Sequence, residues 1–190
     1  MDSKSKQTMG FLTIVEHPQY GLFGGYLVLN AAGRPLEFHC TAPIKPNRAQ
    51  QILYGPTLES FLYGEQIGFT LLEHAKTEPL VVCTDREPVL SVRDKLSLPV
   101  ALILPADGDA VAASGPGEDR RTMRLDSAHP HGPRLVCFSL GRNRLALPER
   151  LGDDRKRITE RLGEAVETLD LLEPFTRIRE AIEEAQQAAR

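Results

Sequence analysis

The sequence predicts an α/β fold in which a three-stranded antiparallel meander leads into parallel strands, with a C-terminal helical extension. Three observations carry that prediction. Between Phe11 and Ala42, three short apolar or β-branched runs are separated by glycine-containing links, the pattern of consecutive hairpins. Between Thr57 and Leu104, a helical stripe precedes two apolar runs with a short helical stretch between them, an order that calls for a parallel crossover. From Pro148 onward, apolar residues recur at helical spacing. The 190 residues, 41% hydrophobic and 26% charged, suffice for one sizeable core. No apolar run approaches the ~18 residues that a membrane-spanning helix needs.

Residues 1–10 are polar, lack the apolar core of a secretory signal and are expected to be disordered. The first strand reads from Phe11 to Glu16 and stops at His17-Pro18. A glycine-rich turn over Tyr20–Gly25 then leads to a second strand at Tyr26–Asn30 and a third at Pro35–Ala42. In that third strand Leu36, Phe38 and Cys40 share one face, and Glu37, His39 and Thr41 the other. A short helix over 47–54 and a longer one from an N-cap at Thr57 to about Ala75 follow. The longer helix carries the stripe Leu58, Phe61, Leu62, Phe69 and Leu72; Glu65 fills its one gap, which points that carboxylate toward the core.

Pro79–Asp85 reads as a strand covered on both faces, 87–96 as a short helix with Pro88 in its first turn, and Leu98–Leu104 as a second buried strand. Pro105–Asp119 is rich in Ala, Gly, Asp and Pro; 105–133 are expected to form a mobile loop, and Arg134–Leu140 a last strand, within an α/β domain spanning 11–147. In 148–190, Ile158, Leu162, Val166, Leu169 and Leu172 form one stripe; Pro174 interrupts it, and Phe175, Ile178, Ile182 and Ala185 form another. Such stripes cover either the chain's own sheet or a protein partner, a second copy included.

The net charge of −3 conceals a strong asymmetry. Residues 1–119 hold 9 Lys/Arg against 14 Asp/Glu, 120–161 hold 11 against 5, and 162–190 hold 3 against 7. The basic middle includes Arg120, Arg121, Arg124, Arg142 and Arg144, candidates for binding a nucleic-acid backbone; the other reading is a solvated face paired with the acidic flanks. Cys40, Cys83 and Cys137 form no Cys-x-x-Cys pair, sit in apolar runs and read as buried free thiols, so the expected setting is cytoplasmic. His17, His129 and His131 are the loop histidines available to move a proton.

Glu16 stands before a glycine-rich segment, Glu65 fills the gap in the helical stripe, and Asp85 ends the buried strand. Together with the element order over residues 11–104, these acids resemble the ribonuclease H-like fold, in which an acid on the first strand, one on the inward face of the first long helix and one at the end of the fourth strand converge. The resemblance implies that Glu16, Glu65 and Asp85 hold Mg²⁺ or Mn²⁺ and serve as the catalytic acids of a nuclease or other phosphoryl-transfer enzyme. The family's first acid is normally an aspartate, so Glu16 is a departure from it. Domains of this architecture also bind without cutting. The alternative is therefore a non-catalytic nucleic-acid-binding or protein-interaction module that assembles through 148–190.

Overall fold

Strands β1 (Thr8–His17) and β2 (Gly21–Asn30) pair antiparallel along their whole length, from Thr8 opposite Asn30 to His17 opposite Gly21. β1 thus starts before the expected strand, and Met9 and Gly10, read as part of a disordered tail, are buried in it because they pair in the sheet's middle. The computed structural model describes residues 7–105, the backbone of 122–125, and residues 132–163, 166–167 and 169–188. β2 absorbs the glycines read as a turn. A Cβ on Gly24 would stand 2.1 Å from Ile67 Cγ2 on one face, and a Cβ on Gly25 would stand 2.2 Å from Ile178 Cγ2 on the other. The two glycines let helices approach β2 from both sides.

After β3 (Pro35–Cys40), Asn47 caps α1 (Arg48–Tyr54) reciprocally with Gln50. The long helix α2 consists of an α-turn at Leu58–Ser60, a π-helical stretch at Phe61–Gly68 and an α-helical end at Phe69–His74. Thr57 makes no side-chain cap; its hydroxyl donates to Tyr54 O at 2.8 Å. β4 (Val81–Thr84), the 3₁₀ helix Glu87–Lys95 and β5 (Val100–Leu104) form the crossover, with both strand pairs parallel. β6 (Thr122–Leu125), β7 (Leu135–Leu140) and β8 (Asn143–Pro148) form an antiparallel meander whose β7–β8 turn uses Gly141 at φ 58°, a left-handed conformation that favours glycine. β6 and β8 were not evident as strands: β6 falls within the stretch read as a loop, and β8 begins with the polar pair Asn143-Arg144.

The eight strands lie in the order β3-β2-β1-β4-β5-β8-β7-β6. Over the first five, the order 3-2-1-4-5 with β2 alone reversed is the ribonuclease H-like arrangement. One face presents Phe11, Leu27, Cys83 and Ile103 to α3 (Gly152–Leu162) and α4 (Glu173–Ala188), which bury Ile158, Leu162, Phe175, Ile178 and Ile182 there. The other presents Leu12, Ile14, Val28 and Val82 to α2 and the 3₁₀ helix, through Leu62, Ile67, Leu71, Val89 and Val92. The segment read as an extension is therefore a layer of the domain, and its apolar stripes are spent on the chain's own sheet. Pro174 starts α4, in the first turn where its missing N–H costs nothing. Between α3 and α4, the buried Asn143 side chain donates to Val166 O (3.2 Å) and Leu169 O (2.8 Å) and accepts from Leu171 N–H (2.9 Å).

Candidate functional site

The parallel register sets Leu12 opposite Thr84, so the next residues meet: Thr13, midway along β1, and Asp85, just past the carboxyl end of β4. Thr13 Oγ1 donates to Asp85 Oδ1 at 2.6 Å, and the Arg179 guanidinium of α4 donates to Asp85 Oδ2. The Asp85 side chain is only 13% exposed, so this pairing supplies the charge partner that a largely buried carboxylate requires. Asp85 does not cap the 3₁₀ helix; Arg86 N–H bonds to the Thr84 hydroxyl instead, at 3.1 Å.

Glu16 lies three residues beyond Thr13 on β1, and side chains alternate along a strand, so it belongs to the opposite face. It is exposed and accepts the Tyr63 hydroxyl of α2 at 2.8 Å. Burial, followed by this bond to Glu16, pushes the Tyr63 phenol well above the usual tyrosine range.

Glu65, expected to point inward, is exposed and pairs with Lys95 at 3.2 Å. The cause is the π-helical stretch. Its i→i+5 bonding, seen where Phe69 N–H reaches Gly64 O, places more residues in each turn than an α-helix does. The inward stripe consequently shifts to Leu62, Tyr63, Gly64, Ile67 and Gly68, and Glu65 rotates out.

The three acids are thus held by separate partners on two faces of the sheet. Among the described residues, no three His, Cys, Asp or Glu side chains are grouped so as to hold a metal ion. The donor set does not fit the Mg²⁺ or Mn²⁺ that the fold family implies: a divalent ion needs converging oxygen ligands, and here a guanidinium stands against Asp85.

The basic middle is partly consumed within the chain. Arg150 pairs with Asp94 at 2.7 Å; Arg157 bonds to Asp154 at 3.2 Å and to Ser97 O at 3.0 Å. The Arg155 guanidinium lies 5.4 Å from the Phe138 ring centroid. Arg142 is exposed in the β7–β8 turn, and Arg144 is half-buried on β8 with a partner of its own. Arg120 and Arg121 lie outside the described residues, as do the side chain of Arg124 and both His129 and His131. His17 Nδ1 accepts from the Gln19 and Tyr20 N–H groups at 3.1 and 3.2 Å, which makes it a turn-stabilising residue. Cys83 and Cys137 are buried, and burial pushes the Cys83 thiol up to about 12. Cys40, expected to be buried, is exposed at the end of edge strand β3, beyond the cover of α4.

A second constellation went unread in the sequence. Glu37 and His39, on the same face of β3, form a dyad with His39 Nε2 2.6 Å from Glu37 Oε1. The Lys76 and Thr77 N–H groups also donate to the Glu37 carboxylate, each at 2.8 Å. Burial alone would raise the Glu37 pKa, but the bonds from His39, Lys76 and Thr77 outweigh it and hold the carboxyl down at about 2. The spacing of two on one strand face was the available signal; the partner loop 39 to 40 residues away carried none.

No protein-family model matches the chain, and no curated protein matches it. Among solved structures, the catalytic domain of human Endonuclease V is similar at a TM-score of 0.49 and 11% identity, covering 95% of this chain and 84% of that one. Ciona intestinalis Endonuclease V in complex with an inosine-containing 23mer DNA gives 0.40 and 13%, over 75% of this chain and 70% of that one. Marinitoga piezophila Argonaute with a guide RNA gives 0.32 and 9%, over 84% of this chain and 26% of that one. These likenesses are distant, and the class is set by the chain's own strand order: it has a ribonuclease H-like fold. Among the described residues, no helix is long and apolar enough to cross a membrane.

Proposed function

We propose that the chain is a non-cleaving ribonuclease H-like module of the cytoplasm that binds nucleic acid through its basic middle. The observation that supports the absence of cleavage is the disposition of the acids: Glu16 is bonded to Tyr63, Glu65 to Lys95, and Asp85 to Thr13 and Arg179. Binding rests on the charge of residues 120–161, with Arg142 among its exposed described residues. The competing reading makes Glu16, Glu65 and Asp85 the Mg²⁺ or Mn²⁺ ligands of a nuclease. Assembly through 148–190 is the weaker alternative, because the apolar stripes there are already covered.

The deciding experiment combines melting curves with and without Mg²⁺ or Mn²⁺ and incubation with labelled DNA, RNA and hybrid duplex. The expected result is no cleavage and the same metal response in the wild type and in Asp85→Asn. Binding followed by anisotropy should weaken as salt rises, and Arg142→Ala should weaken it without regard to sequence. Metal-dependent cleavage that Asp85→Asn abolishes would establish the nuclease reading instead. Absence of binding at low salt would remove nucleic acid as the partner.

A further inference from the structure

A cavity of about 510 Å³ opens between α3 and the pair β7–β8. Val136, Phe138, Leu147 and Pro148 form its apolar wall, which favours a flat apolar body over a hydrated ion. Its charged groups are of both signs: Arg155 and Lys156 donate, and the Glu149 and Glu160 carboxylates accept. Thr159 donates to Arg155 O at 2.9 Å and keeps its own oxygen as an acceptor. Gly152, the first residue of α3, also lines the cavity, and a Cβ there would meet nothing within 4 Å.

This mixture narrows the occupant. Two carboxylates disfavour an anion inside the cavity, and two cations disfavour a further cation. A neutral heterocycle suits both, because its faces are apolar and its edge carries donors and acceptors together. The described lining falls within 136–160, inside the basic stretch proposed to bind nucleic acid, and in the β6–β7 ladder Arg124 pairs with Val136 of the cavity wall. The heterocycle that such a partner brings is a base.

We propose that the cavity takes one unstacked base, so that the partner of the basic middle is single-stranded nucleic acid. The inference rests on the nucleic-acid reading and names its substrate class. A duplex keeps its bases stacked and paired. A single strand delivers one to the apolar wall while its phosphates stay outside, against the surrounding positive charge.

The test follows the full chain by anisotropy at low salt with a short labelled strand, the matching duplex and the same strand made abasic. The intact strand should bind about tenfold more tightly than the other two, the scale of one stacked base. Gly152→Leu fills the cavity, and the backbone at 152 (φ −55°, ψ −28°) accepts a side chain. That variant should melt no lower than wild type, bind the abasic strand as wild type does and lose the tenfold advantage of the intact one. Wild type that binds intact and abasic strands equally overturns the inference and leaves the nucleic-acid reading standing. So does a folded Gly152→Leu that keeps the advantage. Absence of binding to all three probes overturns both.

Discussion

The two helical layers approach the same sheet but are fastened to it by different means. On the α2 face close packing is prominent: a Cβ on Gly68 would stand 3.2 Å from Leu12 Cδ2 of β1, and within the layer one on Gly64 would stand 1.9 Å from Ser91 Oγ of the 3₁₀ helix. On the other face the helices are tied by polar groups far apart in sequence. Arg93, in the 3₁₀ helix of the α2 layer, holds Asp154 at the start of α3 through two bonds, Arg179 reaches Asp85, and Arg177 bonds to Gly33 O at 3.0 Å. The contrast shows where this chain spends its charge. Asp85, just past the end of β4, serves as an attachment point for α4 through Arg179.

The tie expected to matter most is Arg93–Asp154. The Asp154 side chain is 4% exposed and Arg93 Nε lies 2.7 Å from its Oδ2, so Arg93→Met leaves a buried charge without its main partner. Arg157, at 3.2 Å, remains as a weaker neighbour. The expected loss is about 3 kcal/mol, at the low end of the cost of breaking a buried pair. Denaturant unfolding measures it; a change under about 0.5 kcal/mol, the level of an ordinary surface substitution, would place the strength of this face in its apolar contacts alone.

The steric face is probed by Gly64→Ala. The added methyl meets Ser91 Oγ at 1.9 Å and the Val92 backbone nitrogen at 2.9 Å, so the 3₁₀ helix must move away from α2. Alanine's better helix propensity offsets part of the cost, and a net loss of about 1 to 2 kcal/mol is expected. The paired variant Gly64→Ala with Ser91→Gly should recover part of it, because the first clash is with that side chain. An equal loss in both would assign the cost to the backbone contact.

These two layers also mark how far the sequence could be read. The meander and the crossover were legible because each rests on local periodicity and turn residues, and the ribonuclease H-like fold followed from their resemblance to that architecture. Glu65 was misplaced because the stripe was counted at an α-helical period, and nothing in Phe61–Gly68 announces i→i+5 bonding. The Arg179–Asp85 and Arg93–Asp154 ties join residues 94 and 61 positions apart, and an exposed helical arginine looks the same whether or not a carboxylate waits across the fold. Of the candidate site, the place of Asp85 just past a buried strand was legible, while the outward turn of Glu65 and the partners of the three acids were not. Partners of this kind are a property of packing, which a single sequence does not display.

The smallest expected effect sharpens the contrast, since it concerns a polar clasp on the α2 face. Glu37 ties β3 to the turn after α2 through the Lys76 and Thr77 N–H groups, and its carboxyl is lowered from the ordinary 4.5 to about 2. A group lowered on folding stabilises the folded state above its unfolded value, and the contribution fades as pH falls from about 4.5 toward 2. Glu37→Gln keeps one acceptor oxygen and should cost about 1 kcal/mol at neutral pH. Melting curves of wild type and variant should therefore converge as the pH drops through that window and stay apart above it. Parallel curves down to the acid limit would mean that the carboxylate's charge contributes nothing and that its shape alone closes the turn.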